Sequence, residues 1–550
     1  MPTITFNGKV CEFEPGQLML QVALDHGIEI PHYCYHPGLS VVANCRICLA
    51  EVWAPNPRQD NRLEPIPKLL PTCQTPAADG QVVYTNSPKA IANQKSVMEY
   101  LLINHPVDCP VCDQAGECYL QDYSYQYGRG VARFAEEKIK QPKKDLGPHV
   151  LLYMDRCIMC TRCVRFCREV TGTSEITVEG RGATAEIDVF PGIPLDNELS
   201  ANVIDICPVG ALLDKDFLFQ QRVWDLTKTP SIDGLTCSGD NLSIEHNAGR
   251  IYRFKPRPNP EVNTWWITDE VRYSWKFIHD EARLAVPAVR GLKPFEPSAA
   301  PLAYETAYAK VNEGLSRAAH LAVMVSPMLS CEDAYLLAGY ALRHDADVTL
   351  AVGPIRRAGE DKTFPGGFTL YSEKAPNARG VRRVLEQFAS NVLDYEAFLG
   401  QLRSDPGIDA VLLTGNYPSD WVTDDLVAAL DGASGRFVVL FDTLPNQLTV
   451  RADVVIPGAS WAEKAGTFQN VNDRLQAFER AIAPLDYCKG EAQIALDLSA
   501  DLAGTNPAVF NPATTRKAMA ETHGLREFIT DLHLPAVAEP IESDMEVVEV

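Results

Sequence analysis

The stretch DRCIMCTRCVRFCREV, residues 155–170, sets Cys157, Cys160, Cys163 and Cys167 at gaps of two, two and three residues. Sulfurs at so short an interval converge on one centre, and in a reducing compartment converging thiolates mean metal rather than disulfides. The two-residue gap recurs upstream, in Cys45/Cys48 and Cys109/Cys112. Thirteen of the 16 cysteines lie before residue 208. The other three, Cys237, Cys331 and Cys488, are solitary, and with Cys11 they read as small buried hydrophobes.

The run has the spacing of bacterial ferredoxins, except that no proline follows its last cysteine; Pro208 follows Cys207 instead. In two-cluster ferredoxins the fourth cysteine of each run serves the other cluster. Cys157, Cys160 and Cys163 are therefore expected to be completed by Cys207 around a [4Fe–4S] cluster. A second run ending at Cys207 would need cysteines where the chain has Asn197, Ser200 and Val203, so Cys167 is left as the orphaned ligand of a lost site. Arg162, Arg165 and Arg168 fall beside the run. Guanidinium groups there would raise the potential of an anionic cluster, or they are ordinary helix-surface charges.

Two further constellations precede it. Cys34-x10-Cys45-x2-Cys48-x24-Cys73 has the order of a plant-type [2Fe–2S] site with a longer first gap, and zinc is the alternative. Short alternating strands at 4–6 and 10–13 and a helix at 17–26, stopped by Gly27, fit a β-grasp ferredoxin. Residues 53–71 hold five prolines and read as a loop inserted before Cys73. Ser87-Pro88 is a helix start, and the helix delivers His105 at its end. His105-x3-Cys109-x2-Cys112-x5-Cys118 would suit zinc; beside two other centres, a [4Fe–4S] cluster with one imidazole ligand is favoured.

The chain's 550 residues exceed the roughly 250–300 that one core can serve. From about residue 300, helical patterns at 304–319, 332–344 and 424–430 alternate with apolar runs at 320–325, 348–352, 410–414 and 437–441. That alternation predicts α/β layers on a parallel sheet. Residues 223–280 read as β-structure and loops, and the acidic end from about 535 as an extended or disordered tail. Gly180-x-Gly182-x-x-Ala185 reads as a hairpin turn rather than a nucleotide loop, and no P-loop, flavin or nicotinamide site is visible. The net charge of −22 argues against nucleic acid and anionic lipid as partners. No apolar run approaches the ~20 residues of a membrane span. MPTITFNGKV has neither signal-peptide nor presequence character, so a cytoplasmic, bacterial protein is expected, peripheral to the membrane through partners.

The blocks CYHPGLSVVANCRICLAEV (34–52), LLINHPVDCPVCDQAGECYLQDYS (101–124), DRCIMCTRCVRFCREV and NVIDICPVGALL (202–213) resemble the family of the large iron–sulfur subunit of NADH–quinone oxidoreductase, respiratory complex I. The resemblance implies one [2Fe–2S] cluster on Cys34, Cys45, Cys48 and Cys73. It implies two [4Fe–4S] clusters, on His105, Cys109, Cys112 and Cys118 and on Cys157, Cys160, Cys163 and Cys207. ADVVIPGASWAEKAGTFQNVNDRLQ (452–476) resembles the molybdopterin oxidoreductase fold. Some relatives carry a further [4Fe–4S] cluster after the third; here only Cys237 is available, so that site is lost.

The implied organisation is multidomain, α+β and α/β. A [2Fe–2S] domain occupies 1–78, the His/Cys [4Fe–4S] domain 79–125, and a ferredoxin-like [4Fe–4S] domain 126–222. A clusterless linker domain at 223–280, a molybdopterin-oxidoreductase-like domain at 281–505 and a tail at 506–550 follow. The resemblance implies electron passage from an NADH- and FMN-binding partner toward quinone, beside a small [2Fe–2S] subunit and the quinone-module subunits, on the cytoplasmic side of a bacterial inner membrane. It implies no FMN or molybdopterin in this chain, and no catalytic substrate site. The alternatives are the large subunit of a formate dehydrogenase, the diaphorase cluster subunit of an NAD-reducing hydrogenase, and a zinc-stapled binding module.

Overall fold

The computed structural model describes residues 1–291, 303–432 and 435–535. The chain forms two compact units: Met1–Leu226 with the hexapeptide Thr363–Phe368, and Thr227–Lys362 with Thr369 onward.

The first unit opens with the hairpin Thr3–Phe6/Lys9–Glu12, followed by the helix Met19–Asp25. Alternation puts Ile4 and Phe6 in the core, where Met19, Leu20, Val22 and Ala23 of the helix meet them. Thr3–Phe6 pairs in parallel with Val82–Tyr84, which pairs antiparallel with Leu49–Asn56. The proline-rich stretch differs from expectation. Leu49–Asn56 runs on through Pro55 and pairs with Arg62–Pro65, so most of 53–71 is a hairpin rather than a loop. Pro55 lies beyond the residues that pair with Val82–Tyr84, and Arg62–Pro65 is an edge strand, so the missing N–H groups break no central ladder.

Ser87 caps the helix Pro88–Leu102 through its hydroxyl, which accepts from Ala90 N. Further on, Leu212–Asp214 pairs antiparallel with Val150–Tyr153, and Gly180–Ala185 connects the hairpin strands Ile176–Glu179 and Glu186–Val189. Gly366 N donates to Val170 O at 3.0 Å, which holds the hexapeptide in this unit.

The second unit begins with the antiparallel meander Thr227–Ile232, Asn241–Asn247 and Arg250–Pro256. Its main sheet has the spatial order Ala288–Val289, Val454–Pro457, Phe437–Asp442, Ala410–Thr414, Leu321–Val325, Thr349–Val352. Only Ala288–Val289 is antiparallel. Val323, Val325 and Leu412 face one core with the helices Tyr304–Arg317, Cys331–Ala341 and Glu491–Ala503. Ala322, Met324, Val411 and Leu413 face the other with Tyr395–Ser404 and Asp424–Asp431. Strands buried on both faces read as continuous apolar runs, the pattern seen in the sequence.

Residues 506–535, expected as part of a tail, instead carry the helices Pro512–His523 and Glu527–Thr530. Met519 and Phe528 are fully buried in the first of these cores, and that apolar anchorage is what orders them. The acidic end from 536 lies outside the described residues.

Candidate metal centres

The first constellation closes because two-residue strand Leu70–Pro71 pairs with Leu49 and Ala50, bringing Cys73 beside Cys48. Thr72 seals the junction, donating from N and Oγ1 to Cys48 O at 3.3 and 3.0 Å. Cys34 reaches both Cys45 and Cys73, and Cys73 reaches Cys48, so all four sulfurs meet. Ala43 and Arg46 take left-handed φ values of 50° and 60°, at roughly 1–2 kcal/mol each. That turn points the amides of Asn44 and Cys45 at the Cys34 sulfur. Hydrogen bonds from Cys45 and Cys73 push the Cys34 thiol down, and the reciprocal bonds push both partners up.

In the third constellation, strand pairing does the gathering. Cys207 lies five residues before Leu212, and Cys157 four after Tyr153; the pairing of these strands sets them side by side. Cys157, Cys160, Cys163 and Cys207 line one cavity with Leu152, Ile158 and Ile187. Met159 and Thr161 have φ of 54° and 59°, and Met159 N donates to Cys157 Sγ at 3.4 Å. The amides of Val209, Ala211 and Leu212 face Cys207. Burial pushes Cys157 up to about 12 and Cys160 up to about 11, and raises Cys163 and Cys207. Four such sulfurs in an apolar cavity become thiolates only against a cation, which suits a metal that displaces their protons.

In the second constellation, His105, Cys109 and Cys118 line a cavity that opens past Tyr125 and Trp224, both largely exposed. Cys112 sits behind, packed on Gly210: a Cβ there would lie 2.3 Å from the Cys112 sulfur, so only glycine fits. Burial holds His105 down to about 4, leaving a neutral imidazole with a free lone pair.

Arginines stitch these loops together, and the sequence hinted at only part of this. Arg162 and Arg165 are 5% and 3% exposed, whereas the Arg168 side chain is 62% exposed and pairs with Glu169. Arg162 donates to Ile206 O at 3.1 Å and Tyr35 O at 2.5 Å. Arg156 pairs with Asp108, and Arg222 donates to Cys112 O at 2.9 Å; neither stood out in the sequence, although each lies within a few residues of a cysteine motif or of Trp224.

Cys167 is fully buried in one wide, π-helical turn, Cys167–Thr171. Beside Cys167, Glu175 accepts from Thr173 Oγ1 at 2.6 Å and Asn197 Nδ2 at 2.7 Å. Ser200 and Val203 are fully buried.

The second unit offers two other places. Cys237 is buried in the loop joining Thr227–Ile232 to Asn241–Asn247, among Asp233, Thr236, Ser238 and Asp240. Cys11, Cys331 and Cys488 are also buried. The strand order reverses between Leu321–Val325 and Ala410–Thr414, the crevice where open α/β sheets bind ligands. Side chains fill the region beyond these strands: Lys464 pairs with Asp333 at 2.9 Å and with Glu491, and Asn416 donates to Glu491 at 2.7 Å. A Cβ on Gly458 would lie 2.3 Å from Glu491 Oε1.

Family models match along the chain in the order of these sites. They are a 2Fe-2S iron-sulfur cluster binding domain (1–88), the NADH-ubiquinone oxidoreductase-G iron-sulfur binding region (94–133), and the ferredoxin-like domain of NADH-quinone oxidoreductase subunit 3 (147–213). A NADH-ubiquinone oxidoreductase NDSU1/NuoG-like 4Fe-4S domain (226–276) and a molybdopterin oxidoreductase domain (383–501) follow. The chain is 43% identical over 297 residues to the mitochondrial NADH-ubiquinone oxidoreductase 78 kDa subunit of Neurospora crassa, covering 54% of this chain and 38% of that protein. It is 42% identical over 275 residues to the NADH-ubiquinone oxidoreductase 75 kDa subunit of Reclinomonas americana, covering 50% and 38%. The matches thus span about two-fifths of these relatives. A solved NAD+-reducing [NiFe]-hydrogenase chain is 28% identical with a TM-score of 0.34, covering 40% of this chain and 91% of that one. No helix among the described residues is long and apolar enough to cross a membrane.

Proposed function

We propose that the chain is an electron-transfer iron–sulfur subunit of an NADH–quinone oxidoreductase, relaying electrons from a flavin-bearing NADH-oxidising partner toward quinone. The observation that carries this reading is the gathering of three sets of His and Cys side chains within 226 residues, each with backbone amides facing at least one of its sulfurs. The order of the matched domains agrees with it.

In this reading Cys34, Cys45, Cys48 and Cys73 hold a [2Fe–2S] cluster within a β-grasp domain. His105, Cys109, Cys112 and Cys118 hold one [4Fe–4S] cluster, and Cys157, Cys160, Cys163 and Cys207 another. Such clusters, when bound, supply one-electron carriers; the protein's part is to space them, exclude water and tune them by amide hydrogen bonds, nearby charge and ligand type. The Leu152, Ile158 and Ile187 walls keep the third site dry, and the Asn44 and Cys45 amides stabilise charge on Cys34. The second unit acts as a structural domain, its crevice filled by Lys464, Asp333 and Glu491. Partners are the flavin subunit, a small [2Fe–2S] subunit and the quinone module, on the cytoplasmic side of a bacterial membrane.

Metal analysis of anaerobically prepared full-length chain tests the assignment. Two, four and four irons predict about ten per chain, with no stoichiometric zinc or molybdenum. Zinc in place of iron overturns the relay, and about fourteen irons would restore a fourth cluster.

A further inference from the structure

Arg165 is 3% exposed, yet its described hydrogen bonds all go to backbone carbonyls. Nε donates to Thr161 O at 3.3 Å and Nη1 to Ser40 O. Nη2 is shared between Cys34 O at 2.6 Å and Cys160 O at 3.3 Å. One guanidinium thus joins a ligand residue of the first constellation to a ligand residue of the third, 126 positions apart in sequence. The acid that acts on it, Glu169, is otherwise engaged: its oxygens accept from Ser40 N at 2.9 Å, Ser40 Oγ at 2.7 Å and Arg168 at 2.9 Å.

A buried cation with only carbonyl partners is costly unless an anion lies near. Thiolate-held clusters are such anions, and each becomes more negative on reduction. We propose that Arg165 is a positioning residue and the shared counter-ion of both centres. It fixes their two ligand loops against each other and raises both midpoint potentials together. Arg162 also ties the two loops, through Tyr35 O and Ile206 O, but these are neighbours of the candidate ligands, and it bonds no candidate ligand residue itself. The inference rests on the iron–sulfur reading above, and deepens it.

The experiment uses the iron-loaded full chain with Arg165→Met, Arg165→Lys and Arg168→Met. Iron content and EPR of the unaltered chain come first; if those signals are missing, the underlying reading fails and the inference with it. Given both signals, Arg165→Met should lower both midpoints, and Arg168→Met should move neither. Lysine keeps the charge but, as a compact ammonium, cannot span two loops in the same fork. Arg165→Lys should therefore shift the midpoints less than methionine, while broadening the dipolar coupling between the two reduced centres in pulsed EPR. A methionine variant with unchanged midpoints, or with only one moved, overturns the shared role. If that variant loses iron, the lysine variant decides: an unaltered dipolar spectrum rejects the clamp.

Discussion

Nη2 of Arg156 lies 2.5 Å from Oδ2 of Asp108, and its Nε lies 3.1 Å from Oδ1, a bidentate pair joining the residue before Cys157 to the residue before Cys109. The same guanidinium donates to Gly210 O at 3.3 Å and lies 4.2 Å from the Tyr153 ring centroid. A second tie runs beside it, where Tyr119 N, next to Cys118, donates to Pro208 O at 3.1 Å, next to Cys207. The second and third constellations are therefore held as one piece by contacts one residue away from their candidate ligands.

That pair is asymmetric, and the asymmetry makes a prediction. The Arg156 side chain is 3% exposed and the Asp108 side chain 31%. Removing the aspartate strands a buried cation, whereas removing the arginine leaves a carboxylate that water can reach. Asp108→Ala should therefore cost more than Arg156→Met, about 3–5 kcal/mol against about 1–3 kcal/mol. Urea denaturation of the full chain at matched iron content measures both; equal costs would show that the charge pair is not what holds the seam.

Cys167→Ser should leave the spectra of all three clusters intact, while Cys163→Ser or Cys207→Ser should abolish the third. Cys207 sits in the cavity with Cys157, Cys160 and Cys163, and Cys167 does not line it. Loss of the third cluster's EPR signal in Cys167→Ser would mean the fourth ligand has been misassigned.

How much of this was written in the sequence depends on what each feature costs to encode. The parallel strands Leu321–Val325, Ala410–Thr414 and Phe437–Asp442 were legible because burial on both faces demands unbroken apolar runs. The tight pairs and the 157–163 run stood out because short spacing leaves few ways to converge, whereas Cys73 and Cys207 are brought to them by strand pairing. The helix Ala378–Leu385, with the sequence ARGVRRVL, was not read, since three arginines mask the buried Val381, Val384 and Leu385. The hairpin at Pro55 was hidden because five prolines argue against strands until one knows which N–H groups face no partner. Arg156 went unnoticed, and Arg165, though noticed beside the third run, had partners that could not be foreseen, for a different reason. Their partners, Asp108, Gly210, Cys34 and Ser40, are distant in sequence, and only the folded topology brings them close.

The loop around Cys237 supplies a pH prediction. Asp233 and Asp240 are both buried at the base of this loop, where Asp233 N donates to Asp240 O at 2.8 Å, and Oδ2 of Asp240 has no hydrogen-bond partner among the described residues. Burial pushes Asp233 up to about 6; burial and then the neighbouring Asp233 raise Asp240 further. Raised acids hold protons in the folded chain that the unfolded chain has released above about pH 4. Their stabilising contribution is complete below that pH and is lost as pH rises through about 6 and beyond. Asp240→Asn removes one such charge. It should stabilise the second unit at pH 8 by about 1–3 kcal/mol and flatten the melting temperature between pH 5 and 8. A melting profile with the same pH slope in the variant would contradict this.

His105 offers a signed outcome of another kind. A neutral imidazole in place of a thiolate leaves its cluster one negative charge lighter in either oxidation state. Adding an electron to a less negative centre is easier, the direction seen where histidine replaces cysteine in Rieske centres. His105→Cys should therefore retain a [4Fe–4S] cluster, if the shorter side chain reaches iron, and lower its midpoint potential. His105→Ala should make that cluster labile, because one iron loses its protein ligand, while the first and third clusters stay. The competing role for His105 is a cap near the end of the helix Pro88–Leu102. A cap predicts a loss of only about 0.3–1 kcal/mol of stability and an unaltered cluster. The position argues for the ligand. His105 lines the same cavity as Cys109 and Cys118, and burial keeps its imidazole neutral rather than as the imidazolium that would favour a helix C-terminus. Redox-titrated EPR on both variants separates the two roles, since a cap leaves midpoint and occupancy where they were and a ligand moves one in each variant.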